Sequence, residues 1–389
     1  MPSAGEGTDM FKNIALQPSR FALHLAVLII VALWTLPTAG LLVSSLRDKN
    51  QIAVSGWWTA LRTSEQTGQA RMKGSADQVQ KDGLFIIEGN LFAADEARTV
   101  SAFSTKVTNP GAFPADIAAG LDNGQTLLVR IDGSYVYTSP TAFDNEKGQR
   151  VFFTSRVPPR FTTENYGTVL LSEGIGRAFI NSLTVTIPAT IIPILIAAFA
   201  AYALAWMKLP GRGYLIAIIV GLLVVPLQMS LIPLLRLYNL AGSGLSQTYL
   251  GIWLAHTGFG LPFAIYLLRS YIAGLPKDLI ESAQIDGAND FKIFRRIILP
   301  LSFPALASFA IFQFLWVWND LLVAMVFLGT DPDKAVLTYK LNSLLGSRGG
   351  NWEILTASAF ITIIVPLLVF FSLQRYFVRG LLAGSVKGG

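Results

Sequence analysis

Six stretches of this 389-residue chain, near 23–45, 179–206, 214–237, 247–271, 301–328 and 354–377, are each apolar over the length needed to cross a bilayer. A helical span takes about 20 mostly apolar residues. In lipid every backbone N–H and C=O must find a partner inside the protein, which leaves helices and closed barrels as the only spanning structures. The expectation is an all-α polytopic membrane protein of six transmembrane helices. Several stretches contain proline: Pro188, Pro193, Pro226, Pro233, Pro262, Pro304 and Pro366. Kinked spans persist where neighbouring helices satisfy the freed backbone groups, so these prolines favour a packed bundle over isolated anchors. Composition agrees, at 52% hydrophobic and 14% charged residues with a mean hydropathy of +0.51. A soluble domain rarely combines these values.

Basic residues beside the spans set the orientation. With the N-terminus inside, the cytoplasmic segments hold Lys12, Arg20, Lys208, Arg212, Arg269, Lys277, Lys292, Arg295, Arg296, Arg375, Arg379 and Lys387. The external segments, the long loop after the first span apart, hold only Arg177, Arg236, Lys334, Lys340 and Arg348. Both termini are therefore expected in the cytoplasm. The first apolar run is too long for a secretory signal and no convincing small-residue cleavage site follows it, so it reads as an uncleaved anchor.

The long loop, about 47–175, differs in composition. It carries 13 Lys/Arg against 14 Asp/Glu, a net −1, while the rest of the chain carries +7. The overall basicity is thus topological, and nucleic-acid binding is not implied. Within the loop, LFIIEGNLFA, RTVSAFSTKV, QTLLVRIDGSYVYTS and RVFFTSRV read as strands, with Asp132-Gly133 between β-prone runs as a hairpin signal. Residues 84–157 are expected to form a small extracytoplasmic β domain, either in contact with a partner or simply solvated, and 59–82 to be linker or loop. The division is then 1–46 (cytoplasmic N-terminus and first span), 47–157 (β-rich insert) and 158–389 (spans two to six, with a cytoplasmic loop at 276–300).

Catalytic chemistry is sparse. The chain has no cysteine, and its two histidines, His24 and His256, lie far apart in apolar segments. Neither a His-based metal site nor a triad is supported. No H-E-x-x-H and no G-x-x-x-x-G-K-[ST] occurs, so the chain has no Walker A loop for ATP. No enzyme activity, metal or cofactor is expected on it. Asp320, in WVWNDLL, is the one ionisable residue well inside a span. An intramembrane acid is a functional candidate by default, and with Gln313, Trp316, Asn319 and Tyr266 it forms a candidate substrate pathway. The competing reading is packing or helix termination.

One polar stretch between spans looks structured. In Glu281–Pro300, ESAQIDGANDFKIFRRIILP, Pro276 suits the first turn of a short helix, Gly287 allows a sharp break, and Asn289 or Asp290 caps a second helix. Phe291, Phe294, Ile297 and Ile298 fall at helical spacing. The spacing E-x-A-x-x-x-G, nine residues, then I-x-L-P is met by Glu281, Ala283, Gly287, Ile297, Leu299 and Pro300. It resembles the EAA loop of type I importer permeases of the ATP-binding-cassette class, with Ser282 in place of the usual alanine and Asp286, Gly287 and Ala288 as in the sugar-importer branch. NYGTVL at Asn165–Leu170, FINSLTVT at Phe179–Thr186, AAYALAW at Ala200–Trp206, WND at Trp318–Asp320 and QRYFVRGLLAGSVKG at Gln374–Gly388 resemble the maltose-permease G-type subunit. The insert and the start SSLRDKNQIAVSGWW are similar to alpha-glucoside permeases.

That resemblance implies the type I importer permease fold in a bacterial inner membrane. It also implies a larger F-type permease partner, a dimer of ATPase subunits carrying ATP and magnesium, an external sugar-binding protein and a sugar substrate such as an alpha-glucoside, maltose or trehalose-like oligosaccharide. The coupling residues would be Glu281, Ser282, Ala283, Asp286, Gly287, Ala288, Ile297, Leu299 and Pro300. The loop at about 329–353 would reach the binding protein through Leu341, Asn342, Gly346, Gly349 and Gly350. Two alternatives are a single-chain secondary transporter and a membrane sensor with an external β domain. Against the first stand the missing internal repeat and the few intramembrane charges; against the second, tails too short for a signalling domain.

Overall fold

The computed structural model describes residues 18–385 apart from 94–96, 172–173, 241, 243 and 348–349, with only the backbone of 18–19 and 377–385. Lys12, Arg348, Gly349 and Lys387 lie outside the described residues, as do the last residues of the C-terminal motif. Two compact units divide at Thr163/Glu164.

The first unit begins with α1 (Pro18–Ser45). After it comes α2 (Lys49–Val54), whose N-terminus is capped by Asp48, the side chain accepting from the Asn50 N–H at 2.9 Å. Among the described residues nine strands follow: β1 (Ser64–Arg71), β2 (Val79–Lys81), β3 (Leu84–Asn90), β4 (Thr99–Ser104), β5 (Phe113–Pro114), β6 (Ala119–Gly120), β7 (Thr126–Val129), β8 (Ser134–Ser139) and β9 (Arg150–Val157). They pair antiparallel in two sheets, ordered β1-β9-β4-β5 and β2-β3-β8-β7-β6. Alternate residues of both sheets turn inward onto one core that includes Val100, Phe103, Val151 and Phe153 from the first sheet and Ile87, Leu127, Val129 and Tyr135 from the second. The Asp132-Gly133 turn joins β7 to β8 with Gly133 at φ +82°, a left-handed conformation glycine adopts without Cβ strain.

Residues 59–82 are not a linker. β1 pairs with β9 along its whole length, from Ser64↔Val157 to Arg71↔Arg150. The strand SEQTGQAR escapes a hydrophobic reading because it is an edge strand with small or polar inward residues. At Gly68 the Phe153 ring lies where a Cβ would stand, only 2.7 Å away, so a large inward residue would collide with the core.

The two ends of the insert are tied together. The Thr162 N–H donates to Leu46 O (2.7 Å) and the Asp48 N–H to Arg160 O (3.3 Å). The Gln51 amide donates to Pro158 O (2.7 Å) and accepts from the Arg160 N–H (3.1 Å). The buried Arg47 guanidinium donates to Ser55 O and Gln51 O, and burial pushes its pKa down.

The second unit is helical: α3 (Glu164–Leu171), α4 (Ile175–Trp206), α5 (Arg212–Leu222), α6 (Leu227–Leu240), α7 (Tyr249–Ile272), α8 (Lys277–Ile285), α9 (Asp290–Ile293), α10 (Leu299–Leu301), α11 (Phe303–Asn319), α12 (Leu322–Leu328), α13 (Leu337–Ser347) and α14 (Trp352–Ser385). Among the described residues of the whole chain, four helices are long and apolar enough to cross a bilayer: Arg20–Ser45, Ile175–Trp206, Tyr249–Ile272 and Trp352–Tyr376. Six are reached only by counting each of two bent pairs as one span. The expected span 214–237 is one such pair, α5 and α6 meeting at 105°. Pro226 drives Val225 away from the helical region and contributes no N–H, so the helix stops there. The expected span 301–328 is likewise not one helix. It bends 70° from the preceding segment, and it breaks again at Asp320, which is extended at ψ 132°.

Prolines inside α4 and α14 obey one rule. A proline at position i cannot donate to the carbonyl at i−4. Pro188, Pro193 and Pro366 therefore free the carbonyls of Thr184, Ala189 and Thr362. Each receives a donor from a neighbouring helix: Trp253 Nε1 to Thr184 O (2.9 Å), Gln313 Nε2 to Ala189 O (3.0 Å) and Trp318 Nε1 to Thr362 O (2.9 Å). Three polar side chains are thus spent on carbonyls freed by proline, in a medium with no water to replace them.

Candidate functional site

The stretch between α7 and α11 is a helix–turn–helix seated on the bundle. Pro276 precedes α8, with Asp278 in the first turn, where an acid complements the helix N-terminus. The helix ends in a Schellman motif: the Ala288 N–H donates to Ala283 O (2.9 Å), the Gly287 N–H to Gln284 O (3.0 Å), and Gly287 sits at φ +74°. Asn289 then caps α9, its side chain accepting from the Lys292 N–H at 2.9 Å. A π-helical turn follows at Phe294–Ile298, where the Leu299 N–H donates to Phe294 O. Such turns are rare and frequent at functional sites.

Its inward residues are Ile280, Ile293, Phe294 and Ile298, buried in a cluster with Ala197, Ala201, Leu268, Ile272 and Phe309. Phe294 stacks on Phe199 with ring centroids 4.4 Å apart, and the Tyr202 hydroxyl donates to Asp290 (3.2 Å). Outward, Glu281, Ser282, Asp286 and Gly287 are exposed, and so are apolar Leu279, Ile285 and Phe291, the last two at 86% and 62%. A Cβ at Gly287 would meet nothing within 4 Å, so the space there is open. Glu281 pairs with Lys277 across one turn at 2.6 Å. That bond holds the ammonium pKa up.

Of the nine predicted coupling residues, Glu281, Ser282, Asp286 and Gly287 are exposed on α8 and the turn after it. Ala283 and Ala288 face inward against the buried cluster; their small size serves packing rather than approach from outside. Of the I-x-L-P residues, Ile297 is half-buried and Leu299 and Pro300 are exposed beyond the π turn.

Of the predicted pathway residues, Trp316 and Asp320 meet at His256. Gln313 is buried, its amide donating to Ala189 O. Asn319 is exposed, donating to Leu315 O of its own helix. Asp320 accepts from the Ala324 N–H (3.1 Å), which starts α12, and its carbonyl accepts from the Thr338 hydroxyl (2.8 Å). His256 Nε2 lies 3.9 Å from its carboxylate and the imidazole packs edge-on against Trp316. Tyr266 is exposed on α7, ten residues from His256, about 15 Å along a helix axis.

The loop at about 329–353 contains α13. Asn181, which sequence reasoning passed over inside FINSLTVT, holds the approach to it: its amide donates to Asp333 O (2.9 Å) and Ala335 O (3.0 Å) and accepts from the Tyr249 hydroxyl (3.0 Å). Ser182 accepts from the Leu337 N–H (2.8 Å). An Asn-Ser pair inside an otherwise apolar span was the available signal. On α13 Leu341 is half-buried while Asn342 and Gly346 are exposed, as is Gly350 beyond it.

Residues 175–382, which hold this helix–turn–helix, match the family model for the binding-protein-dependent transport system inner membrane component. The chain belongs to that family. It is similar at 65% identity over 376 residues (96% of this chain, 98% of the relative) to the alpha-glucoside transport system permease protein AglG of Rhizobium meliloti. The osmoprotective compounds uptake permease protein GgtD of Synechocystis is 45% identical over 368 residues, 95% of this chain and 92% of that one. Matches of this extent include the β-rich insert. The trehalose transport system permease protein SugB of Mycobacterium tuberculosis is 34% identical over 237 residues, 60% of this chain and 84% of its own. As a family member the chain is an inner-membrane component of a binding-protein-dependent transport system.

Proposed function

We propose that this permease is one of two permease subunits in an ATP-driven, binding-protein-dependent importer of alpha-glucosides or similar oligosaccharides, and that Lys277–Pro300 is its coupling element to a separate ATPase dimer. The substrate class rests on the likeness to AglG across both the bundle and the insert. The coupling role rests on one observation: a double-capped helix–turn–helix whose apolar anchors are buried while Leu279, Ile285 and Phe291 stand exposed beside Glu281 and Gly287. Exposed apolar side chains on a polar loop are surface awaiting a partner. Rigid seating lets closure of the ATPase dimer bias the bundle between inward-open and outward-open states. ATP and magnesium belong to the ATPase, both termini of this chain to the cytoplasm, and the surface of α13 around Asn342 and Gly346 to the binding protein. Of the pathway residues, Trp316, Asn319 and Asp320 remain candidates for lining, with Gln313 committed to backbone.

Uptake of a labelled alpha-glucoside into proteoliposomes tests this reading. It should require this chain, the partner permease, the ATPase, the binding protein and ATP together. Uptake by this chain alone, or without ATP, would sink it.

A further inference from the structure

We infer that the turn from Val54 to Leu61, at the base of the β-rich insert, is a membrane-interface anchor that lies in the outer headgroup layer of the bilayer. Asn50–Leu61, NQIAVSGWWTAL, has no charged residue and is bounded by Lys49 and Arg62. Every position of α1 from Arg20 to Thr38 and Ala39 is exposed, as expected of a helix facing lipid or partner helices on all sides. Its first covered residue is Gly40, and Trp57 is what covers it: a Cβ there would stand 2.6 Å from the indole. Only glycine lets the ring lie against the helix backbone.

That contact sets a depth. Gly40 precedes the helix end at Ser45 by five residues, about 7.5 Å of helix. Interfacial apolar groups sit about 5–10 Å into the headgroup and acyl boundary. The turn itself is rigid, with the Thr59 hydroxyl donating to Gly56 O (2.8 Å) and the Ala60 N–H to Trp57 O (3.0 Å). Ala60 faces inward, while Val54, Trp58 and Leu61 point away from the protein, Trp58 at 72% and Leu61 at 84% exposure. Tryptophan is enriched at this depth, and Lys49 and Arg62 are placed to reach the headgroups along their aliphatic stems. The occupant of this face is therefore the lipid interface, continuous with the lipid around α1, and the anchor holds the insert's base to the membrane plane.

The inference rests on α1 crossing the bilayer, so its test separates the two. The chain lacks cysteine, and single-cysteine variants Val54→Cys and Leu61→Cys can carry a nitroxide with Trp58 intact. In full-length protein reconstituted in phospholipid vesicles, collisions with dissolved oxygen and with a water-soluble nickel chelate are compared. Leu28→Cys in α1 is the deep-lipid control and Lys106→Cys in the insert the aqueous control. The expected oxygen-to-nickel ratio at positions 54 and 61 is shifted well above that at 106 and toward that at 28. A ratio equal to that at 106, with 28 in lipid, overturns the anchor alone. Low collision rates with both reagents mean a protein covers the face, and overturn it as well. Nickel access at 28 overturns the span and the anchor together.

Discussion

Polar residues meet opposite fates in the loop at Lys277–Pro300 and in the bundle above it. In the loop the backbone satisfies itself through the Schellman turn and the Asn289 cap, and the side chains of Glu281, Ser282 and Asp286 are left on the surface. In the bundle, Gln313, Trp253, Trp318 and Asn181 are consumed by backbone carbonyls that proline or loop geometry has freed. A polar group in water is available to a partner. One in lipid is first claimed by the fold, because an unpaired carbonyl there has no water to turn to. Polarity alone therefore marks a functional surface in the loop and not in the spans.

The largest effect should come from the loop's buried side. Phe294→Ala removes the ring stacked on Phe199 and should cost about 3–5 kcal/mol, read by SDS-titration unfolding of the purified chain in mixed micelles, with uptake lost. A near-neutral result would mean the loop is not seated as described. Gln313→Met keeps volume but leaves Ala189 O without its donor, a loss of about 1–3 kcal/mol in the same titration. If Gln313 instead lines the pathway, stability will hold and the KM for sugar will move.

Gly287→Ala puts a Cβ at φ +74°, in open space but at a backbone cost of about 1–2 kcal/mol. Gly287→Asn should cost less, since asparagine tolerates that conformation. Both should assemble with the ATPase, and both should hydrolyse ATP with reduced uptake per ATP if a partner approaches Gly287 closely. Equal uptake per ATP in all three proteins would remove that close approach. Trp253→Phe and Trp318→Phe remove the indole N–H together with part of the ring system; the lost hydrogen bond alone should cost about 0.6–2 kcal/mol each, with lost packing added. Smallest in stability is Glu281→Gln. Its pair with Lys277 is fully at the surface, and such pairs often contribute nothing measurable. Uptake should nevertheless fall if the carboxylate meets the ATPase; unchanged uptake would leave Glu281 as a solvated helix residue.

The loop was legible in sequence because its determinants are local. Pro276, Gly287 and Asn289 act on the backbone within a few residues, and hydrophobic spacing identified part of the inward face. Spacing also pointed to Phe291, which is exposed, and missed Ile293, which is buried. The insert was half legible. β8, with its strict alternation, announces itself, whereas β1 reads as linker because an edge strand with Gly68 under Phe153 carries no hydrophobic signal of its own. Span count was legible only as apolar length. Whether a proline such as Pro226 breaks a helix depends on whether a neighbour replaces the lost hydrogen bond, and at Pro188 and Pro193 that neighbour is distant in sequence.

Taken alone, the sequence determined the solvent each segment must face, the capped turn at Gly287, and the absence of a Walker A loop on this chain. These follow from composition and from interactions spanning a few residues. Tertiary structure decided which prolines bend a helix and which are bridged, since Pro188, Pro193 and Pro366 are carried by donors from other helices while Pro226 ends its own. It also decided that Gln313 belongs to the fold and that Leu279, Ile285 and Phe291 do not. The physical reason is the same in each case: a polar or apolar group acquires its role from what is packed beside it, and in this bundle that neighbour lies up to 155 residues away.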